Sequence, residues 1–212
     1  MDNILNNAHS LLFPFNETCI YSKKLLGELE KINQKFSKES SIDLEAIKDA
    51  ITFIIKYHAD QMRKSGEPFY SHPLEVASIA AFHSPKTEVI IVAILHDVVE
   101  DTEIENSLIK YIWGKSVSKI VEMVTDLNEE LDVTFKPNED LLLYKKIKTF
   151  DKDASLIKVC DRLHNMRTLG SMKREKQKKK ALETLQTYVL MAKEIGILDL
   201  AFELEKLSQK RL

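Results

Sequence analysis

Three short segments, far apart in the sequence, contain side chains that could together bind a divalent metal ion. His72 follows a loop rich in turn-forming residues, His96 and Asp97 are adjacent, and Asp161 lies within the segment KVCDRLHN. Two imidazoles and two carboxylates suit Mn²⁺, and with less preference Fe²⁺, Zn²⁺ or Mg²⁺. A structural zinc site would favour thiolates, and no cysteine is well placed to provide one. These residues therefore predict a site for a divalent metal ion.

Two acids follow Asp97 on the same side of the expected helix. Residues three and four apart share a helix face, so Glu100 and Asp101 should lie beside Asp97. A bound ion lowers the pKa of its water from about 15.7 toward roughly 7, and a neighbouring carboxylate can accept the proton. Glu100 and Asp101 are therefore the predicted catalytic groups of a hydrolytic reaction.

The segment around Asp161 has two faces when it is drawn as a helix. Its apolar face can pack into a core, whereas its other face presents a cation, a metal ligand and hydrogen-bonding groups. The residues of this second face are Lys158, Asp161, Asn165, Thr168 and Met172. Arg63 and Lys64, in the loop before His72, add positive charge that suits phosphates or stacking on a base. The combination indicates a nucleotide site.

Two histidines outside the ligand set have other expected roles. His58 lies on the apolar stripe of its helix, which favours a core or supporting position over metal ligation. His164 is adjacent to the face that contains Asp161, and a hydrogen-bonding support role is the better expectation for it.

The elements that must position these side chains are predicted to be helices. Gly and Pro number five each among 212 residues, so uninterrupted segments are long and an all-α fold is expected. Apolar residues at helical spacing mark an amphipathic helix over 25–36 and a second one from about 47 to 62. The apolar run over 89–95 could by its period be a strand, but its length and context favour a buried central helix.

Local signals suggest where other helices begin and where the chain loops. Ser84 as N-cap with Pro85 after it predicts one helix start. Thr102 and Glu105 have the spacing of a capping box and predict another. Further helices are expected over 116–126, 139–150, 153–169, 174–194 and 197–210, with a long loop over 128–138. The exposed run KREKQKKK over 173–180 is expected to be a solvated helix start.

Composition limits the classes of function. With 31 basic and 33 acidic residues the net charge is −2, which is unlike a general nucleic-acid binder. The longest apolar run is far shorter than a membrane span, so no membrane association, signal peptide or anchor is expected. Two cysteines without a CxxC pair indicate a reducing cytoplasm.

Three segments closely resemble the hydrolase domain of the RelA/SpoT alarmone enzymes. They are HADQMRKSGEPFYSHPLEVA (58–77), AILHDVVEDT (93–102) and LIKVCDRLHNMRTL (156–169), in the order and spacing of that family. The tail over 183–208 resembles the helices that close the domain, so the likeness covers roughly residues 44–208. RKSGEP, HDVVEDT and DRLHNMRT distinguish this group from other HD phosphohydrolases, which share mainly the metal ligands.

The resemblance implies an all-α HD-domain helical bundle over residues 43–212, preceded by an extension over 1–42 with one amphipathic helix. It implies one Mn²⁺ held by His72, His96, Asp97 and Asp161, with Glu100 and Asp101 activating water. The positions that line the guanosine pocket of the family match Arg63, Lys64, Ser65, Asn165, Thr168 and Met172. The implied reaction is hydrolysis of the 3′-pyrophosphate of ppGpp and pppGpp to GDP or GTP and pyrophosphate.

Two alternatives stand beside this hypothesis. The chain could be an HD phosphohydrolase of another nucleotide phosphate, which the loop over 63–68 together with Asn165 and Thr168 argues against. It could also be an alarmone-binding module without turnover. The presence of both Glu100 and Asp101 argues against that, because a binding module has little need to activate water.

Overall fold

The structure is a computed structural model in which residues 19–35, 41–134 and 146–212 are described, the side chains of 128–134 excepted. Within these ranges all regular elements are helices, and this confirms the all-α prediction. They are α1 (Ile20–Asn33), α2 (Leu44–His58), α3 (Ser71–His83), α4 (Thr87–Leu95), α5 (Val98–Asp101), α6 (Asn106–Thr134), α7 (Lys152–Arg167), α8 (Arg174–Glu183), α9 (Val189–Glu194) and α10 (Leu198–Gln209). None of these described helices has both the length and the apolar character that crossing a membrane requires.

Helix α4 lies at the centre of the bundle. The prediction that the apolar run is a buried helix is confirmed, since every side chain from Val89 to Leu95 is at most 4% exposed. A helix that is apolar all round is stable only when other elements cover it on every side. Helices α2, α3, α6 and α7 pack around α4. His96, the C-cap residue of α4, is therefore held in the interior of the protein.

Helix α1 packs against α3 and shares the core of the bundle. Leu25 and Leu29 are buried in the same hydrophobic cluster as α4. At the surface of this contact, the Lys24 ammonium lies 2.6 Å from the Glu75 carboxylate. The amide group of Asn33 exchanges two hydrogen bonds with the backbone of Ile42, at 2.9 and 2.7 Å. The proposed boundary after residue 42 stays a prediction.

Two predicted helix starts are wrong. Helix α4 begins at Thr87 with Lys86 as N-cap, so Ser84 does not cap it. The Thr102 hydroxyl does not open α6 either, because it donates to the Val98 carbonyl at 2.5 Å and accepts from the Ile104 amide at 3.1 Å. Thr102 thus ends α5 rather than beginning the next helix.

Helix lengths also differ from the expectation. Helix α2 begins at Leu44, where the Asp43 carboxylate caps two backbone amides, and it ends at His58 rather than near residue 62. Helix α6 continues to Thr134, so the predicted loop is wrong over 128–134. The expected helix over 116–126 is present, because the non-helical backbone of Gly114, with φ of 85°, divides α6 into two helical segments. Residues 135–145, which include the rest of the predicted loop and most of the helix expected over 139–150, lie outside the described residues.

The C-terminal helices close the bundle over α7. Helix α8 continues through a single π-helical turn, Thr184–Tyr188, into α9. Turns of this type insert one extra residue and often occur at functional sites. The turn and α9 both pack against α7. The side chain of Tyr188 comes to lie beside α7 as a result.

Candidate metal centre and nucleotide cavity

The packing of three helices brings the four predicted metal ligands together. His72 is the second residue of α3, and Asp161 lies in the middle of α7. His96 ends α4, and Asp97 is the N-cap residue of α5. Helix α3 packs against both α4 and α7, and so the three segments meet at one point.

The ligand atoms are close enough to share one ion. Those of His72, His96 and Asp97 all lie within 4.8 Å of one another. The Nε2 atom of His72 lies 3.5 Å from Oδ2 of Asp97 and 3.0 Å from Oδ1 of Asp161. Asp161 therefore contacts the cluster from the side of α7.

The hydrogen bonding of His96 indicates a cation site. Its Nδ1 lies 2.8 Å from the Ala93 carbonyl, which can only accept, so Nδ1 bears the proton. In the neutral ring, Nε2 then has no proton and a free lone pair. This Nε2 is fully buried, has no hydrogen-bond partner among the described residues, and lies 3.0 Å from an oxygen of Asp97. A lone pair and a carboxylate oxygen at this distance require a positive charge between them, which a proton or a metal ion can supply.

The charges in the cluster shift the pKa values of its members. Burial disfavours the charged form of His96, but the Asp97 carboxylate overrides this and raises the pKa of His96 to about 9. Burial would raise the pKa of Asp161, yet Lys158 and the hydrogen-bonded His72 hold it well below its usual range. Burial together with the charge of His72 lowers the pKa of His164 to about 3. His96 and His72 likewise offset burial and lower the pKa of Asp97, so both carboxylates stay ionised, as metal ligation requires.

Asp161 is held in place by its neighbours on α7. The Lys158 ammonium lies 3.3 Å from Oδ2, and the Asn165 amide donates to Oδ1 at 2.5 Å. Lys158 is only 2% exposed, and Asp161 offsets the effect of burial and raises the pKa of its ammonium. A fixed positive charge is thus buried directly beside the metal centre.

The metal centre opens into a cavity of about 540 Å³, large enough for a nucleotide. Eleven of the thirteen predicted site residues line it, namely Arg63, Lys64, Ser65, His72, Asp97, Glu100, Lys158, Asp161, Asn165, Thr168 and Met172. Of the other two, His96 is buried behind Asp97. Asp101 lies at the end of α5, outside the lining, and burial and the charge of Asp97 raise its pKa.

Arg63 connects the loop before α3 to the nucleotide side of α7. Its guanidinium donates to Oδ1 of Asn165 at 3.3 Å and to Oγ1 of Thr168 at 3.4 Å. The loop closes on itself, because the Arg63 backbone bonds to the amide of Gly66 and the carbonyl of Glu67. Gly66 has φ of 90°, a conformation that favours glycine. The loop before α3 and the polar face of α7 therefore lie against one another.

Sequence reasoning missed four polar residues that line the cavity: Arg162, Ser171, Lys180 and Tyr188. The Arg162 guanidinium lies 4.0 Å from the centre of the Tyr188 ring and 3.4 Å from the Glu183 carboxylate. Arg162 follows Asp161 and lies four residues after Lys158, so the helical spacing could have found it. Lys180 and Tyr188 lie on other elements, and no local signal points to them.

Two histidines outside the predicted ligand set lie at the positions expected for them, in the core and beside the face that contains Asp161. His58 is 1% exposed, stacks on Phe69 and bonds to Gln61 through Nδ1 at 2.8 Å. His164 contacts His72 ring to ring, with the two Nδ1 atoms 2.7 Å apart.

The chain is thus an all-α protein in which a buried cluster of histidine and aspartate side chains lies beside a cationic cavity. The HD domain family matches residues 50–198, and the chain belongs to this family.

Curated relatives are alarmone enzymes, in agreement with the resemblance of the motifs. The chain is 40% identical over 71% of its length to guanosine-3′,5′-bis(diphosphate) 3′-pyrophosphohydrolase of Haemophilus influenzae, of which it covers 23%. It is 35% identical over 89% of its length to bifunctional (p)ppGpp synthase/hydrolase SpoT of Escherichia coli, of which it covers 27%. It is 33% identical over 87% of its length to GTP pyrophosphokinase rsh of Brucella ovis, of which it covers 25%. The chain thus spans about a quarter of these relatives.

A solved structure shares the fold. It is that of a metazoan orthologue of SpoT, described as hydrolysing ppGpp and as having a role in starvation responses. The TM-score is 0.61 at 22% identity, over 78% of this chain and 95% of that chain.

Proposed function

We propose that this chain is a metal-dependent hydrolase that removes the 3′-pyrophosphate of ppGpp and pppGpp, releasing GDP or GTP. One observation carries the proposal. The histidine and aspartate cluster opens into the same cavity as the cationic loop and the polar face of α7. The names of the curated relatives support the choice of substrate.

The cavity suits a nucleotide with several phosphates. Arg63, Lys64, Lys158 and Arg162 all line it and provide positive charge around the metal centre. Arg63 is bound at its Nη2 by Asn165 and Thr168, which leaves the face of the guanidinium to stack on a base. The buried Lys158 ammonium is positioned to neutralise phosphate oxygens next to Asp161.

The donor set fits Mn²⁺, since it combines two imidazole nitrogens with two carboxylates. His72, His96, Asp97 and Asp161 would hold the ion. When bound, the ion supplies Lewis acidity and neutralises charge that develops on phosphate oxygens.

Glu100 is proposed as the group that accepts the proton of the attacking water, because its side chain lines the cavity one turn after Asp97. Burial and the charge of Asp97 raise the pKa of Asp101, and we propose that this carboxylate supports Glu100 from the end of α5. The water oxygen bonds to the phosphorus next to the ribose. The bond to the ribose 3′ oxygen breaks, that oxygen gains a proton, and pyrophosphate leaves.

The first experiment is hydrolysis of ppGpp by the purified protein, with Mn²⁺ or with chelator, resolving GDP and pyrophosphate. Release of both products that depends on Mn²⁺ is expected. His72→Ala should abolish it while the far-UV circular dichroism spectrum stays helical. Saturable binding of ppGpp without turnover would favour the binding module. Absence of both, with turnover of another nucleotide, would favour a different HD phosphohydrolase.

Two further properties belong to the proposal. We propose that the protein acts in the cytoplasm on a small-molecule nucleotide, and that neither nucleic acid nor a membrane is its partner. We also propose that the hydrolase domain begins at residue 43. Helix α1 precedes this boundary, but its buried Leu25 and Leu29 pack into the core of the domain.

A further inference from the structure

The contact between His72 and His164 joins two imidazoles through atoms of the same kind. The Nδ1 atoms lie 2.7 Å apart, and the rings are tilted by 39°. His72 is 3% exposed and His164 is 8% exposed. At this distance one Nδ1 must donate a proton and the other must accept it.

The direction of this hydrogen bond decides whether His72 can bind a metal ion. Ligation uses the lone pair of Nε2, the atom that faces Asp97 and Asp161 at 3.5 and 3.0 Å. A neutral imidazole has one proton, so a free Nε2 lone pair requires that proton on Nδ1. His164 must then accept through its own Nδ1, with its proton on Nε2. The opposite arrangement would place the proton of His72 on Nε2 and block ligation.

We propose that His164 is a positioning residue for the metal centre. By accepting a hydrogen bond from Nδ1 of His72, it fixes the tautomer and the ring orientation that present the Nε2 lone pair to the ion. This inference deepens the proposed function, since it rests on the metal site of that function.

The position of His164 in α7 strengthens the inference. His164 lies three residues after Asp161, one turn further along the same helix. Helix α7 therefore provides one metal ligand directly and orients a second ligand on α3. The backbone carbonyl of His164 accepts from the amide of Thr168 at 3.1 Å, which holds this last turn of the helix. Partners of this kind typically contribute a factor of about 10–100 in metal affinity.

Two variants separate the acceptor from the volume of the side chain. In His164→Asn, Oδ1 lies as many bonds from Cα as Nδ1 does in histidine, so an acceptor is kept. His164→Leu has the same branch point and no acceptor. The measurement is the dissociation constant of Mn²⁺ without nucleotide, from the electron paramagnetic resonance signal of free Mn²⁺. The thermal midpoint of each metal-free variant controls for folding.

We expect the Leu variant to bind Mn²⁺ about 10–100-fold more weakly than the unmodified protein. The Asn variant should stay within about threefold of the unmodified protein, because its acceptor can take the same proton. Equal affinity in the Leu variant would overturn the inference. So would an Asn variant as weak as the Leu variant, since volume and not the acceptor would then matter.

A second measurement does not depend on the folding of any variant. Nitrogen-15 spectra of the histidines in the unmodified protein, loaded with diamagnetic Zn²⁺, report the tautomer of each ring. The inference requires a protonated Nδ1 in His72 and an unprotonated Nδ1 in His164. A protonated Nδ1 in His164 would refute it.

The outcome for His164 is distinguishable from the outcome for the proposed function. If Mn²⁺ affinity follows the expected order while ppGpp stays intact, His164 keeps its role and the hydrolase proposal fails. If the unmodified protein hydrolyses ppGpp with Mn²⁺ but all variants bind Mn²⁺ equally, only the role of His164 fails. An unmodified protein that takes up no Mn²⁺ overturns the inference.

Discussion

Raising the pH of the metal-free protein from 7.0 to 8.5 should lower its free energy of unfolding by about 2 kcal/mol. The cause is His96, which is fully buried with Nε2 3.0 Å from the Asp97 carboxylate. Without a metal ion, a proton on Nε2 neutralises this pair, and the pKa of His96 rises from 6.5 to about 9. The folded chain therefore holds a proton that the unfolded chain has released.

The sign and the size follow from linkage. A group whose pKa is raised in the folded state contributes stability below its unfolded pKa, and this stability is lost as the pH rises through the folded pKa. For His96 that window lies between pH 6.5 and about 9. One extra proton in the folded state gives a slope of about −1.4 kcal/mol per pH unit. Burial raises the pKa of the Cys160 thiol above its usual 9.0, so ionisation of this thiol in the unfolded chain would also lower the stability above about pH 9. Measurements should therefore stay below pH 9, where the contribution of the thiol to the slope is small.

Urea unfolding in the presence of chelator, at four pH values from 7.0 to 8.5, measures the slope. Asp97→Asn is the matched control, because it keeps the shape of the side chain and removes the charge that holds the proton. In Asp97→Asn, the free energy of unfolding should change much less with pH than it does in the unmodified protein. With Mn²⁺ at saturation the sign should reverse, since the ion needs the unprotonated Nε2 and binds more tightly at higher pH.

A free energy of unfolding that is flat or rising over this range without metal would refute the reasoning. Nε2 of His96 would then be unprotonated in the empty protein. An unchanged slope in Asp97→Asn would instead show that another group titrates.

Three substitutions test other parts of the structure. Glu100→Gln should leave the dissociation constant of ppGpp within about threefold and lower kcat by about 10²–10⁴-fold, measured by equilibrium binding and steady-state kinetics; equal loss of binding would point to a structural role. Arg63→Lys should raise KM for ppGpp by about tenfold or more, because an ammonium lacks the planar guanidinium that bonds to Asn165 and Thr168; an unchanged KM would contradict this. Leu29→Ala should lower the free energy of unfolding by about 2–5 kcal/mol, since the side chain is 0% exposed. Glu30→Ala, at an exposed position of the same helix, is the control. If urea unfolding gave equally small changes in the free energy of unfolding for both variants, α1 would not stabilise the domain.

The candidate metal site could be predicted from the sequence because ligand chemistry restricts residue types. Histidine and aspartate side chains in three segments matched the preferences of a divalent ion before any contact was known. The polar face of α7 was also predictable, since residues three and four apart on a helix must lie together. Asp161, Asn165 and Thr168 follow this rule and line the cavity.

Local signals failed where one side chain has several possible partners. Thr102 matched a capping box, yet its hydroxyl bonds to Val98 in the preceding turn. Ser84 could have capped a helix, but the chain runs on to Thr87 before α4 begins. The free energy of a cap is about 1 kcal/mol, which the packing of the adjoining helices can override.

The amino-acid sequence alone predicts the helical class, the buried character of α4 and the residues able to bind a metal ion. These depend on composition, period and side-chain chemistry, which are properties of short segments. The positions of Tyr188 and Lys180 in the cavity lining, and the contact between His164 and His72, are visible only in the folded protein. These contacts join different helices, and they depend on how the helices pack rather than on any spacing within one segment.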